Sequence, residues 1–260
     1  CNTQDQQLAA GINKQIASTN RTESNAGQLK TMRLVQSCTG EYANFFGASA
    51  AGTPADQAIV LAAYNNTLTR CNGVYEKDLA LHLNLIASTT AVLFYDPATD
   101  PYATVTNPFS PPASWNSSLQ STLTTLIGEA NYDIGHLFGA SGGGGNAGCI
   151  GCVCDDGIKG SGIPSPATGS VSPSASFPPA GDGFDIDYVA HEIGHQLGAT
   201  HTFSFGLEGT GTNKEVGSGI TIMGYAGITP FDVAPHSIDI FHLASINQIQ
   251  MNLATKSCPV

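Results

Sequence analysis

Apolar and polar positions alternate in short blocks between residues 29 and 140, and the period changes from block to block. In LKTMRLVQSCTG, Met32, Leu34 and Gln36 alternate with Arg33 and Val35, a two-residue period that predicts a first strand. Next, TPADQAIVLAAYNNTLTRCNGVYEKDL opens on Thr-Pro and carries Ile59, Ala62, Ala63 and Leu68 at helical spacing. It predicts a long helix that stops near Gly73. ALHLNLIAS and TAVLFYD are apolar runs of strand length with a turn between them. SSLQSTLTTLIGEA then predicts a serine-capped helix, and NYDIGHLFGA another strand. Strands alternating with helices predict a mixed α/β fold around a largely parallel sheet.

The pattern breaks between residues 141 and 184, where Gly, Pro and Ser dominate and the cluster CIGCVC falls. This stretch reads as loop with one edge strand. Its SGGGGNAG is no phosphate loop, because no Lys-Ser or Lys-Thr follows at a helix start. FDIDYVAHEIGHQLG predicts the next helix, with Asp182 or Asp185 at its positive end and Gly198 as its stop. An irregular stretch, SFGLEGTGTNKEVGSG, leads to ITIMGYAG and a last helix around SIDIFHLASINQIQMNLA. Residues 1–28 are polar and weakly periodic, an arm or the remnant of a pro-segment. The expected organisation is therefore 1–28, a main unit over 29–202 and a smaller C-terminal unit over 203–260.

Composition narrows the function classes. Charged residues make up 11% of the 260 and hydrophobic ones 41%, the balance of a chain that buries a core. A net charge of −11 argues against nucleic acid and anionic membrane surfaces as partners. No apolar run approaches the ~20 residues that span a bilayer. The start lacks the charged and apolar regions of a leader, so the chain has none or has lost it. Seven cysteines fit disulfides in a secreted protein. Cys149, Cys152, Cys154 and Cys258 are expected to supply them, and Cys38 can pair with Cys71. Their odd number leaves one over, with Cys1 the candidate. Cys1 reads as a frayed thiol, a lipid-anchoring site, or a thiolate that occupies the open metal position and keeps a zymogen latent.

The densest chemistry is HEIGHQLGATH, residues 191–201, with three of the seven histidines. His191 and His195 are four apart, so on a helix they project from one face and can hold one Zn²⁺. Glu192 sits beside the first ligand, placed to act on a metal-bound water as general base. Gly198 can take a positive φ and turn the chain, so that His201 swings back as third ligand. A fourth position stays open, as in a catalytic zinc site.

HEIGHQLGATH followed by TIMGYAG resembles the signature of the metzincin zinc proteases, His-Glu-x-x-His-x-x-Gly-x-x-His plus a Met-turn. RLVQSCTGEYANFFG, NGVYEKDLALHLNLIA and NYDIGHLFG extend the likeness, which is to the bacterial secreted reprolysin-like enzymes and spans roughly residues 29–250. The resemblance implies a twisted, mainly parallel sheet of about five strands with two long helices. It also implies a smaller irregular C-terminal subdomain and a cleft between the two parts. It makes Met223 a hydrophobic floor beneath the metal. Tyr225 is similar in placement to a tyrosine that stabilises the tetrahedral intermediate in some metzincins; the other reading is a packed aromatic. The pocket for the residue after the scissile bond is implied to lie along the segment following Met223. Three cysteines in the loop before the active-site helix depart from the family pattern.

The leading expectation is a secreted, monomeric zinc endopeptidase acting on proteins or peptides. The alternatives are a zinc-stabilised adhesin or latent relative on the same scaffold, and a thermolysin-type site with a distant glutamate ligand. Asp182, Asp185 and Asp187 in GDGFDID suit calcium or helix capping, and DPATDPY is treated alike. His82, His136 and His242 read as core or surface histidines, and His236 as a wall of the pocket. Asn20, Asn65 and Asn116 open Asn-x-Ser/Thr sequons.

Overall fold

A computed structural model describes residues 28–166, 168–208 and 212–259 of the chain. Strand β1 (Lys30–Cys38) lies between β2 (Leu81–Leu85) and β3 (Ile134–Phe138), all parallel. Leu34 stands opposite Leu85 on one side and Ile134 on the other. Both faces of β1 are covered, as parallel sheets require. Leu34 and Cys38 enter the larger core, while Val35 packs into a second one with Trp115, Leu119 and Leu123. The alternation seen in LKTMRLVQSCTG therefore marks two packed faces. Arg33 departs from this, its guanidinium meeting the buried Asp133 at 2.6 Å.

Helix α1 (Gly40–Phe45) is short; α2 (Pro54–Leu79) opens on a capping box between Thr53 and Asp56. It does not stop at Gly73. Val74, Tyr75 and Leu79 beyond it are buried, and their burial outweighs the ~1 kcal/mol that a mid-helix glycine costs. Ala80, at φ 50, closes the helix instead. The buried stripe runs through Val60, Ala63, Tyr64 and Leu68; Ile59 is only half-buried and Ala62 is exposed.

TAVLFYD is not a strand. Residues Ala87–Val92 form a 3₁₀ turn, and Leu93 alone bridges to Cys38. The Thr89 hydroxyl accepts the Gln36 N–H at 3.2 Å, which removes the donor a strand there would need. Helix α3 (Ser114–Leu126) begins before SSLQ and has no side-chain cap. Trp115 fixes that start, buried and donating Nε1 to Ala103 O at 2.7 Å.

The Gly-rich loop leads into the edge strand β4 (Gly144–Asn146), antiparallel to β5 (Ile163–Ser165). β5 and the residues leading into it dock on β3: the amides of Gly135 and Leu137, and of Gly139 just past the strand, donate to the Lys159, Gly162 and Pro164 carbonyls at 2.8, 2.8 and 3.0 Å. Among the described residues the strands thus form a parallel set of three and a separate antiparallel pair, not the single five-stranded sheet expected. Asn116 Nδ2 donates to Asn146 O at 2.9 Å and Ser161 O at 2.6 Å, so this sequon is tied into the fold. Asn20 lies outside the described residues.

The second long helical segment has three parts: a turn at Asp182–Phe184, a π-helical stretch at Asp185–Ala190, and α4 (His191–Leu197). The last helix, α5 (Leu243–Leu253), is capped by the His242 ring, whose Nδ1 accepts from Ala244 N at 3.1 Å. No helix among the described residues is long and apolar enough to cross a membrane.

Disulfides join Cys149 to Cys152 and Cys154 to Cys258. The expected Cys38–Cys71 bond is absent. Both thiols are buried, but Cys38 Sγ turns to Phe94 O at 3.6 Å and Cys71 Sγ to Asp185 O at 3.2 Å. Burial pushes the Cys38 thiol up to about 12 and Cys71 also upward, which leaves both unreactive. Cys1 lies outside the described residues.

His136 on β3 is fully buried and donates Nδ1–H to Gln196 Oε1 at 2.8 Å. Burial lowers its pKa to about 4. The unfolded imidazole, near ~6.5, takes up its proton first as pH falls. Its contribution to stability is therefore complete above pH 6.5 and is lost as pH drops towards 4. In chelator, the stability of wild type relative to His136→Asn should fall by about 2–3 kcal/mol between pH 7.5 and 4.5. A difference that does not vary with pH would show that the ring is not held neutral.

Candidate metal centre

The active-site helix is fixed from both ends. Arg70 of α2 grips Asp182 at its start, Nε to Oδ1 at 2.7 Å, and Ile186, Val189, Ile193 and Leu197 bury in the larger core. The π-helical stretch ends where His191 begins; such stretches recur at functional sites. On α4, His191 and His195 stand one turn apart with Nε2 atoms 3.1 Å from each other. Gly198, at φ 124, donates to Gly194 O and His195 O and ends the helix. A Cβ there would also lie 2.9 Å from Asn252 Cβ. The chain then turns back and sets His201 Nε2 3.0 Å from His195 Nε2.

All three rings are buried, and their ligand atoms lie within 4.8 Å of one another. His191 Nδ1 faces Ile222 O at 2.7 Å, His195 Nδ1 faces Ala199 O at 2.7 Å, and His201 Nδ1 faces Glu208 Oε2 at 2.8 Å. A carbonyl or carboxylate only accepts, so each Nδ1 carries the proton and each Nε2 presents a lone pair to the centre. Three lone pairs pointed at one spot repel unless a cation lies between them. Burial, and next the neighbouring imidazoles, hold His191 and His195 well below their usual pKa, so they stay neutral. Nitrogens on a tetrahedral zinc at ~2.05 Å would stand about 3.3 Å apart, close to the spacing here. The set fits zinc, down to the outer hydrogen bonds that orient metal-binding histidines.

Glu192 is 1% exposed and faces the edge strand. A Cβ at Gly145 would lie 2.1 Å from Glu192 Oε1, so only glycine lets β4 pass this close to the carboxylate. Met223 is buried under α4, and a Cβ at Gly194 would lie 2.6 Å from its Sδ. Tyr225 Oη is 3.1 Å from His201 Nε2, and its ring packs on Phe203 with centroids 4.6 Å apart.

Several residues of the centre escape sequence reasoning. Glu208, partner of His201, sits seven residues on in a glycine-flanked loop. Glu215 is buried; it accepts from the Thr202 hydroxyl, the Thr221 hydroxyl and the amides of Ile220 (2.9 Å) and Thr221 (3.0 Å). Those bonds hold its carboxyl below the usual range against the opposing effect of burial. The Glu215 clamp ties the segment after His201 to the one before Met223. A lone glutamate in a polar stretch is all the sequence offers, and spacing gives it no partner.

The acidic residues weighed for calcium do not converge. Asp182 pairs with Arg70, Asp185 accepts from Thr67 Oγ1 at 2.8 Å, and Asp187 accepts from Ser237 N at 2.9 Å. Asp96 and Asp100 accept amides within their own turn. Among the described residues the three histidines form the metal-binding group. A cavity of about 360 Å³ opens beside His191 and Glu192, and Phe177, Pro178, Tyr188 and the stretch from Tyr225 to Ile228 line it. Pro235 and Ser237 line it, whereas His236, expected there, is exposed and does not.

No curated protein matches the chain. The profile of metallo-peptidase family M12B, reprolysin-like, matches residues 28–252, from before β1 almost to the end of α5. With a three-histidine group suited to zinc in its midst, this chain belongs to the reprolysin-like metallopeptidases and is a metalloendopeptidase.

Proposed function

We propose that this protein is a secreted, monomeric endopeptidase in which His191, His195 and His201 hold one zinc and Glu192 is the general base. The observation that carries the reading is the convergence of three Nε2 lone pairs beside the buried Glu192 carboxylate. Zinc, when bound, supplies a Lewis acid that acidifies water and polarises a peptide carbonyl. Glu192 takes a proton from the attacking water and delivers it to the leaving amine. The Tyr225 hydroxyl donates a hydrogen bond to the oxyanion that develops on the substrate. Met223 packs beneath the site and takes no part in proton transfer. Residues 29–202 and 203–260 are read as the two sides of the cleft. Two disulfides and the lack of a membrane-spanning helix among the described residues suit an extracellular setting.

A peptide-library digest with zinc quantified by elemental analysis tests the reading. Chelation should abolish cleavage, and one zinc per chain should restore it. Zinc binding with no cleavage of any peptide would sink the catalytic assignment. Tyr225→Phe should lower kcat by about 10–10³-fold with little change in KM. An unchanged kcat would reduce Tyr225 to packing.

A further inference from the structure

We propose that Asp187 makes the cavity beside Glu192 select substrates carrying a lysine or arginine side chain. This rests on the peptidase reading above. The cavity follows the active-site helix backwards from Glu192, past Tyr188 and Asp187, to Asp182. Asp187 lies five positions before Glu192 along the helical segment, on the order of 7 Å along the axis. An extended lysine or arginine stem covers that span. Much of the remaining wall is apolar: Tyr188, Pro178, Ala226 and Ile228. Such walls suit a methylene stem whose charged end reaches further in.

The lining holds two carboxylates besides Glu192, and their situations differ. Asp182 is exposed and already has a cation partner: Arg70 Nε and Nη2 donate to its two oxygens at 2.7 and 3.1 Å, and the same guanidinium meets Asp239 at 3.1 Å. Asp187 is half-buried and accepts from Ser237 N at 2.9 Å, and among the described residues it forms no ion pair. The nearby His236 forms no ion pair with it among the described residues: its ring is exposed and donates Nδ1–H to Ser237 O at 2.9 Å. Burial raises the carboxyl's pKa, and the Ser237 hydrogen bonds and the charge of the nearby His236 oppose that rise. A partly desolvated carboxylate without a cation is costly, and a guanidinium or ammonium brought by the substrate relieves it. A net charge of −11 also favours the approach of basic peptides. Glutamate in the same cavity would meet repulsion.

Digestion of a peptide library by the zinc-loaded protein, read by mass spectrometry on both sides of each cut, tests this. Lysine and arginine should be enriched at one flanking position by about 10- to 100-fold over glutamine, the range of a charge-assisted hydrogen bond. Asp187→Asn keeps an acceptor for Ser237 N–H and should bring that ratio close to one. No enrichment, or an enrichment that survives Asp187→Asn, overturns the inference. Binding provides an arm independent of catalysis. Fluorescence anisotropy on the Glu192→Ala protein, with paired lysine and glutamine peptides, should favour lysine by a similar ratio. If the wild type cuts nothing, the peptidase reading fails, and the anisotropy ratio still decides whether Asp187 selects a cation. A ratio of one there overturns the inference.

Discussion

Replacing Glu192 by alanine should leave one zinc per chain and lower peptide hydrolysis by about 10²–10⁴-fold, the contribution of a positioned general base. Among the described residues the three imidazoles form the metal-binding group, and the Glu192 carboxylate lies buried next to the edge strand. Gly145→Ala offers a gentler version of the same test. A methyl group there would lie 2.1 Å from Glu192 Oε1, so either the carboxylate or the strand must move. Displacing a catalytic group by about 1 Å can cost on the order of 10²-fold. Gly145 does not occupy a positive-φ position, so alanine imposes no backbone strain of that kind. Zinc content by elemental analysis and kcat/KM on one peptide check both variants. A Gly145→Ala enzyme as active as wild type would show that this contact does not place the carboxylate.

Local geometry explains which parts of this centre were legible in the sequence. His191 and His195 share a face because a helix brings residues four apart together. Gly198 stops that helix in the way its conformational freedom suggests, so His201 was legible too. The partners that orient the rings were not. Ile222 O and Glu208 Oε2 come from loops whose paths depend on tertiary packing, including the Glu215 clamp. The errors in the fold have the same origin. Propensity makes Gly73 a helix stop, but Tyr75 and Leu79 bury deeply enough to carry α2 through. TAVLFYD has strand composition, yet Thr89 supplies the acceptor that β1 needed and the segment curls into a 3₁₀ turn. Cys38 and Cys71 looked like a pair in one dimension, and their thiols turn to different carbonyls in three.

The double variant Cys154→Ser/Cys258→Ser should lose about 2–5 kcal/mol of stability, much more than removal of Cys149–Cys152. The bond closes a separation of 104 residues, against 3 for the other. In the chain-entropy account that is about 4.7 kcal/mol for a loop near 100 residues and about 2 kcal/mol for the short one. The position of the bond extends the consequence to the metal centre. Its loop gives Gly151 N to His195 O at 2.9 Å and Val153 N to Gln196 O at 3.3 Å, capping the end of the zinc-site helix. From the C-terminal side, Asn252 Nδ2 donates to Leu197 O at 2.8 Å and Lys256 meets Asp155 at 2.8 Å. Opening the bond frees the loop and the tail together, so zinc affinity should fall along with stability. Urea unfolding gives the first quantity and competition with a chelator the second. A double variant with the wild-type midpoint and zinc affinity would show that the hydrogen bonds and the Lys256–Asp155 pair hold the helix end without the covalent link.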